Sequence, residues 1–176
     1  AGKKVIEVDR VRRIVRAEDG TAADYDRLLL CTGSNPFILP VPGKDLPGVL
    51  AYRDIADTQA MIDASQKYRR AVVIGGGLLG LEAANGLMRR GMEVSVVHVM
   101  PSLMERQLDA VAGSLLQKSL EERGLKFLMG AQTSELVGGG EGGRVSAIRF
   151  KDGSELATDL VVMAVGIRPN TELAEK

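Results

Sequence analysis

The chain has 176 residues, 45% hydrophobic and 26% charged, with 23 basic and 23 acidic side chains and so no net charge. That composition suits an ordinary globular domain; it offers no basic surplus for nucleic acid or an anionic membrane, and 3% aromatic residues without Trp give no base-stacking platform. One Cys and one His exclude an internal disulfide, a Cys-rich zinc site, a four-thiolate iron–sulfur cluster and any two-histidine metal motif, so no metal ligands are expected. The longest apolar stretch, Ala71 to Leu81, stops at Glu82 and is too short to span a bilayer. No charged-then-apolar signal segment opens the chain, which makes a reducing cytoplasm the expected location.

In chain order, Val5, Ile6 and Val8 predict a first short strand, and Val11, Ile14 and Val15 a second. Asp19-Gly20 then suits a tight hairpin turn, because glycine accepts positive φ. The unalternating run Leu28-Leu29-Leu30-Cys31, ending at Thr32-Gly33, suits a strand buried on both faces. Pro36, Pro40, Pro42 and Pro47 crowd the next stretch and predict an extended connection at a domain boundary. Asp54 to Lys67 reads as a helix, with Ile55, Thr58, Gln59 and Ile62 at compatible spacing. A βαβ pattern follows: a buried strand Ala71–Ile74, a turn Gly75-Gly76-Gly77-Leu78-Leu79-Gly80, a helix Leu81–Arg90 closed by Gly91, and a strand Glu93–Val97. Asp109 opens another helix, with Val111, Ala112, Leu115, Leu116 and Leu120 on one face, ending at Gly124. The remainder predicts a strand Leu125–Met129, a Gly-rich loop from Gly138 to Gly143, a strand Arg144–Phe150, a turn at Asp152-Gly153 and a buried run Leu160–Val165.

Two parts of the chain match without gaps. Asp19-Gly20-Thr21, Asp26, three leucines, Gly33 and Pro36 correspond to Asp152-Gly153-Ser154, Asp159, Val161-Val162-Met163, Gly166 and Pro169, every pair 133 positions apart. In the second copy this pattern completes a unit that began at the Gly75 turn. Built alike, the first copy would have its glycine turn before residue 1. The expectation is one complete nucleotide-binding domain and the tail of another.

The glycine turn sits between a buried strand and a helix, the context in which such a motif binds a dinucleotide. Gly75 permits the tight turn, Gly77 lets a pyrophosphate approach the backbone, and Gly80 lets the helix pack closely on the strand. The amides of Gly77, Leu78 and Leu79 would then face the anion from a helix N-terminus. An acidic residue normally closes the second strand and bonds the adenosine ribose; here the strand ends at His98. A neutral imidazole could bond a ribose hydroxyl, its cation could serve a 2′-phosphate with help from Arg106, or His98 could simply be a surface residue at a strand end. NADH is preferred over NADPH, with both open. Glu82 has two readings: favourable charge near the helix N-terminus, or a place beneath the nicotinamide end of the cofactor.

Three segments together, Leu30-Cys31-Thr32-Gly33-Ser34-Asn35-Pro36, Gly75 to Glu82, and Ala164-Val165-Gly166-Ile167-Arg168-Pro169-Asn170, resemble the pyridine nucleotide–disulfide oxidoreductase superfamily, flavoproteins in which an NAD(P)H domain interrupts an FAD domain. The stretch His98 to Asp109, and Leu115-Leu116-Gln117-Lys118, resemble the flavoprotein part of the large subunit of NAD(P)H-dependent nitrite reductases, enzymes of nitrate assimilation. The resemblance implies an α/β, Rossmann-like three-layer domain with a β-meander and part of a second domain of the same type. Residues 1–48 would be the tail of an incomplete FAD-binding domain and connector, 49–168 the NAD(P)H-binding domain, and 169–176 the return to the FAD domain. By position, Thr32 and Gly33 would contact FAD, Arg53 the flavin pyrophosphate, and Gly75, Gly77, Leu78, Leu79, Gly80, Glu82 and Gly166 NAD(P)H. Leu78 stands where the superfamily often has an aromatic residue gating the nicotinamide. Cys31 replaces a common Ala and reads as packing in a buried strand.

The implied function is hydride transfer from NAD(P)H to flavin, in a cytoplasmic oxidoreductase of the nitrite reductase type. No acid–base dyad and no catalytic side chain is expected, since the cofactors carry the chemistry. A ferredoxin or rubredoxin reductase, an NADH oxidase and a non-enzymatic nucleotide sensor are the alternatives. The partners would be the absent flavin-binding segments and downstream electron-acceptor domains, with homodimerisation left open and neither nucleic acid nor membrane involved. The chain alone is expected to retain no FAD and to be inactive.

Overall fold

A computed structural model describes residues 2–139 and 141–175, so Gly140 of the Gly-rich loop lies outside the described residues. The chain divides into two units, Ala1–Asn35 with Ile167–Lys176, and Pro36–Gly166. The connector 36–48, which the resemblance grouped with the leading segment, packs with the larger unit: Leu39, Val41 and Leu46 lie against its core.

In the smaller unit β1 (Val5–Asp9), β2 (Ile14–Ala17) and β3 (Ala22–Asp24) form an antiparallel sheet in that order. Val11 does not belong to a strand; it stands 94% exposed in the β1–β2 turn, where Asp9 Oδ1 accepts the amides of Val11 and Arg12. Asp19-Gly20 makes the expected hairpin turn, with Gly20 at φ 83°. The Leu28–Cys31 expectation fails: the run forms no strand, Leu29 is 83% exposed, and Cys31 is exposed rather than packed. A fully apolar strand needs neighbours on both sides to be buried, and among the described residues none pairs with it. β4 (Ser34–Pro36) follows.

The larger unit is built on period-two alternation. Its elements run β5 (Val49–Ala51), α1 (Ile55–Ser65), β6 (Arg70–Ile74), α2 (Leu78–Arg89), β7 (Glu93–His98), α3 (Ala110–Glu121), β8 (Lys126–Met129), β9 (Thr133–Gly138), β10 (Val145–Phe150), β11 (Glu155–Ala157) and β12 (Leu160–Met163). Five strands form a parallel sheet in the order β5-β12-β6-β7-β8. Ala71, Val73, Val94, Val96, Leu160 and Val162 face the helices, where Met61, Ala84, Leu87 and Leu120 meet them. Val72, Ile74, Val97, Val161 and Met163 face the other way, onto Leu136, Ile148 and Phe150 of the antiparallel meander β11-β10-β9. Alternate side chains of a strand point to opposite faces, so a sheet with both faces covered must be apolar throughout. The result is the expected three-layer α/β arrangement.

Two helices turn faces other than the expected ones to the core. Asp54 caps α1 in a capping box with Asp57, and the helix buries Met61 and Ala64 while Ile55 stands 88% exposed. In α3, Gly113 and Leu120 are buried and Leu116 packs on the core, whereas Val111 and Leu115 are exposed. Gly113 sets that rotation, since a Cβ there would lie 2.9 Å from the Leu103 carbonyl oxygen. The smaller unit resumes with β13 (Ile167–Pro169), paired with β4, and the single turn α4 (Glu172–Glu175). No helix among the described residues is long and apolar enough to cross a membrane.

Candidate functional site

β6 is the central strand, between β12 and β7, and the glycine turn leaves its C-terminal end. Open α/β sheets offer their ligand crevice at this edge. Each glycine there has a separate physical reason. Gly75 has φ 123°, and a Cβ on it would collide with the carbonyl oxygen of Ala164, just beyond β12. A Cβ on Gly80 would collide with the carbonyl oxygen of Gly75, so helix and strand approach as closely as backbones allow. Gly77 differs: its φ of −87° suits any residue, and nothing lies within 4 Å of where its Cβ would be. Neither conformation nor packing within the protein requires glycine at this position.

Gly77 is also the N-cap of α2 and supplies no side-chain acceptor. First-turn amides of a helix have no intrahelical partner, and the N-cap of α2 offers those of Leu78 and Leu79 no side-chain acceptor. The corner therefore presents first-turn N–H groups without a side-chain cap, the positive end of the helix dipole and open space above Gly77, an arrangement that suits a phosphate group.

The second glycine, Gly76, joins this corner to the end of β7. Its amide donates to His98 Nδ1 at 3.1 Å, and the imidazole and the Leu103 side chain lie where a Cβ would be, each 2.8 Å away. With Nδ1 accepting, the ring proton sits on Nε2, which donates to Glu105 Oε2 at 3.1 Å. His98 is 8% exposed, so the surface reading fails, and with both nitrogens engaged the ring has none left for a ribose. The loop after β7 is pinned to the same glycine: Met104 donates its amide to the Gly76 carbonyl at 3.1 Å, and Leu103 is fully buried. Met104 takes φ 51°, which sends Leu103 inward and brings Glu105 to the histidine. Burial raises the pKa of the Glu105 carboxyl, but its own backbone amide, the His98 ring and the Arg106 charge outweigh this and hold it below the usual carboxylate value.

The other candidates distribute as follows. Leu78 is exposed at the first position of α2, and Leu79 lines a cavity of about 230 Å³ with Tyr52, Arg53, Asp54, Ile55 and Thr58. Arg53 thus stands at the start of α1, beside the glycine corner. Glu82 is exposed in the second turn of α2, beyond the reach of the N-terminal dipole, which weakens the simple charge reading. Gly166, φ 122°, follows Ala164 by two residues at the same sheet edge and accepts the Phe37 amide at 2.9 Å. Arg106 is exposed in the loop after β7. Thr32 and Gly33 belong to the smaller unit, where the Thr32 hydroxyl donates to the Asn170 carbonyl and Gly33 accepts the Asn170 amide.

Sequence reasoning missed Gly76, Leu103, Met104 and Glu105. The signal was there: the middle glycine of a run of three, with no assigned role, and an acid in the loop beyond a strand end that lacks one. Among the described residues no group of His, Cys, Asp and Glu could hold a metal ion.

The model of the family "Pyridine nucleotide-disulphide oxidoreductase" matches residues 1–176. The chain is 58% identical over 169 residues to the nitrite reductase [NAD(P)H] of Bacillus subtilis (strain 168), covering 96% of this chain and 21% of that protein. A ferredoxin reductase for the CYP199A2 system of Rhodopseudomonas palustris superposes with a TM-score of 0.92 at 32% identity, covering 99% of this chain and 43% of that one. An engineered water-forming NADPH oxidase bound to NADPH, derived from the NADH oxidase of Lactobacillus brevis, superposes with a TM-score of 0.86 at 25% identity, covering 98% and 39%. Its substitutions are Gly to Ala and, further on, Asp to Ala, Ala to Arg, Met to Ser and Pro to Arg. The chain thus spans about a fifth of the length of the nitrite reductase and about two fifths of the two solved structures. With a family model matched over its whole length and the glycine corner built as that family's motif requires, the chain belongs to the pyridine nucleotide-disulphide oxidoreductase family.

Proposed function

We propose that the larger unit, residues 36–166, binds NAD(P)H at the Gly75–Gly80 corner, with NADH preferred, as part of the flavoprotein portion of an NAD(P)H-dependent nitrite reductase. One observation carries the binding site: Gly77 lacks a side chain that the fold has room for, at a helix N-terminus that no capping side chain closes. The family uses both NAD(P)H and FAD, and the dinucleotide, when bound, supplies a hydride that flavin accepts. The residues present fit the dinucleotide: the amides of Gly77, Leu78 and Leu79 would hold the pyrophosphate, with Gly166 at the same edge. Leu79 and Arg53 line the neighbouring cavity toward which the nicotinamide end would extend, and Glu82 is assigned to that end.

Support at the adenosine end comes from the engineered NADPH oxidase. Its altered positions keep the spacing of Gly80, His98, Val99, Met100 and Glu105, which favours the end of β7 and its loop as the place where the 2′ position is read. The identity of 58% favours nitrite reductase over the ferredoxin reductase alternative at 32%. FAD does not fit the described residues by themselves, because Thr32 and Gly33 end an exposed run and their own hydrogen bonds go to Asn170 beside β13. We assign these two residues a flavin contact only in the whole protein, and the chain alone retains no flavin.

The test is a titration of the purified chain with NADH, followed by nicotinamide fluorescence, beside the variant Gly77→Val. Saturable binding by the parent and its loss in a variant that melts at the parent temperature support the reading. Absence of saturable binding, or equal binding by the variant, overturns it. Flavin absorbance bands in the purified chain would refute the statement on FAD.

A further inference from the structure

We propose that Glu105 is the residue that selects an unphosphorylated adenosine ribose over a 2′-phosphorylated one, with His98 as its positioning residue. This rests on the dinucleotide reading above and goes beyond it by naming the discriminating group. The usual acid at the end of the second strand is absent, and the imidazole in its place is spent on internal hydrogen bonds. The nearest carboxylate at that edge is carried by the following loop instead. Three independent ties fix it: the Met104 amide on the Gly76 carbonyl, the fully buried Leu103, and the His98 Nε2–H on Glu105 Oε2.

The carboxylate is anchored without being used up. Only Oε2 is bound by His98, and the side chain keeps 31% of its surface exposed. It is acceptor-only when ionised, which suits the two hydroxyls of a ribose and opposes a phosphate by charge. The guanidinium of Arg106, next in the chain, is the cation that would favour a phosphate. The Glu105 carboxylate stands close enough to feel that charge, so the two side chains oppose each other at this edge. Gly76 makes the device part of the binding corner, because the same residue that holds the histidine through its amide holds the loop through its carbonyl.

The experiment measures dissociation constants of NADH and NADPH for the full chain at one ionic strength, for the parent, Glu105→Gln and Glu105→Ser, with a thermal melt of each. Glutamine keeps an oxygen for His98 and removes the charge; serine removes both and serves if glutamine disturbs the loop. The parent is expected to bind NADH about tenfold or more tighter than NADPH, and the folded variants to close that ratio by about tenfold, chiefly by gaining NADPH affinity. An unchanged ratio in a folded variant overturns the proposal, as does a parent that binds the two nucleotides equally, while both leave the dinucleotide site standing. A parent that binds neither nucleotide overturns the site itself and this assignment with it.

Discussion

Gly75 and Ala164 touch backbone to backbone, so that a methyl group on the glycine would collide with the carbonyl oxygen of the alanine. Because Gly75 also holds φ 123°, Gly75→Ala is expected to cost about 3 kcal/mol through overpacking and strain. Gly77→Ala meets no protein atom and keeps an ordinary φ. Its stability should stay within about 0.5 kcal/mol of the parent, while dinucleotide affinity drops. Urea unfolding and nucleotide titration of the two variants separate a glycine the fold needs from one the ligand needs; similar unfolding midpoints for both would contradict the distinction.

Gly76 and His98 form a second coupled pair. Removing the ring in His98→Ala leaves the buried Gly76 amide without its acceptor, a loss of about 1–3 kcal/mol. In Gly76→Ala the new methyl would stand 2.8 Å from both the imidazole and the Leu103 side chain, with an overpacking cost of about 1–3 kcal/mol. The two effects act on one contact, so the double variant should be clearly less destabilised than the sum of the singles. Simple additivity in a denaturant-monitored cycle would argue that the contact is unimportant.

Asp159 links the meander to the sheet. It accepts the backbone amide of Arg70 at 2.9 Å and its guanidinium at 2.7 Å, and the side-chain bond to Arg70 is the main reason its carboxyl lies below the usual value, against the opposing effect of burial. Since the folded-state pKa is depressed, the stabilisation is complete above the unfolded carboxylate range and is lost as pH falls through the folded value. Asp159→Asn should therefore lose about 2 kcal/mol at neutral pH and approach the parent in acid. Unfolding curves for both proteins from neutral pH down to about pH 3 check this; a constant difference across that range would rule the linkage out.

The 133-residue repeat shows how far sequence reaches. Its two hairpins match bond for bond: Ala17 donates to the Thr21 carbonyl at 2.8 Å and Phe150 to Ser154 at 2.9 Å, while Asp19 and Asp152 each accept the amide two residues on, and Gly20 and Gly153 take φ 83° and 86°. All of these contacts lie within a few residues, so the local sequence carries the information. The glycine corner was legible for the same reason, since a tight turn, a close approach and a helix start are all local demands.

Leu28–Leu30 and Val161–Met163 are also matched in sequence, yet the first run is exposed coil and the second lies fully buried between β5 and β6. A strand's burial depends on the neighbours that pair with it and the layers that cover it, which its own residues do not encode. The same holds for the acid beside His98. Sequence determined the three-layer unit, its turns and the missing carboxylate at the end of β7. Only the tertiary structure decided where a carboxylate would come from instead, because the fold of one loop onto the Gly76 carbonyl carries Glu105 across to the histidine.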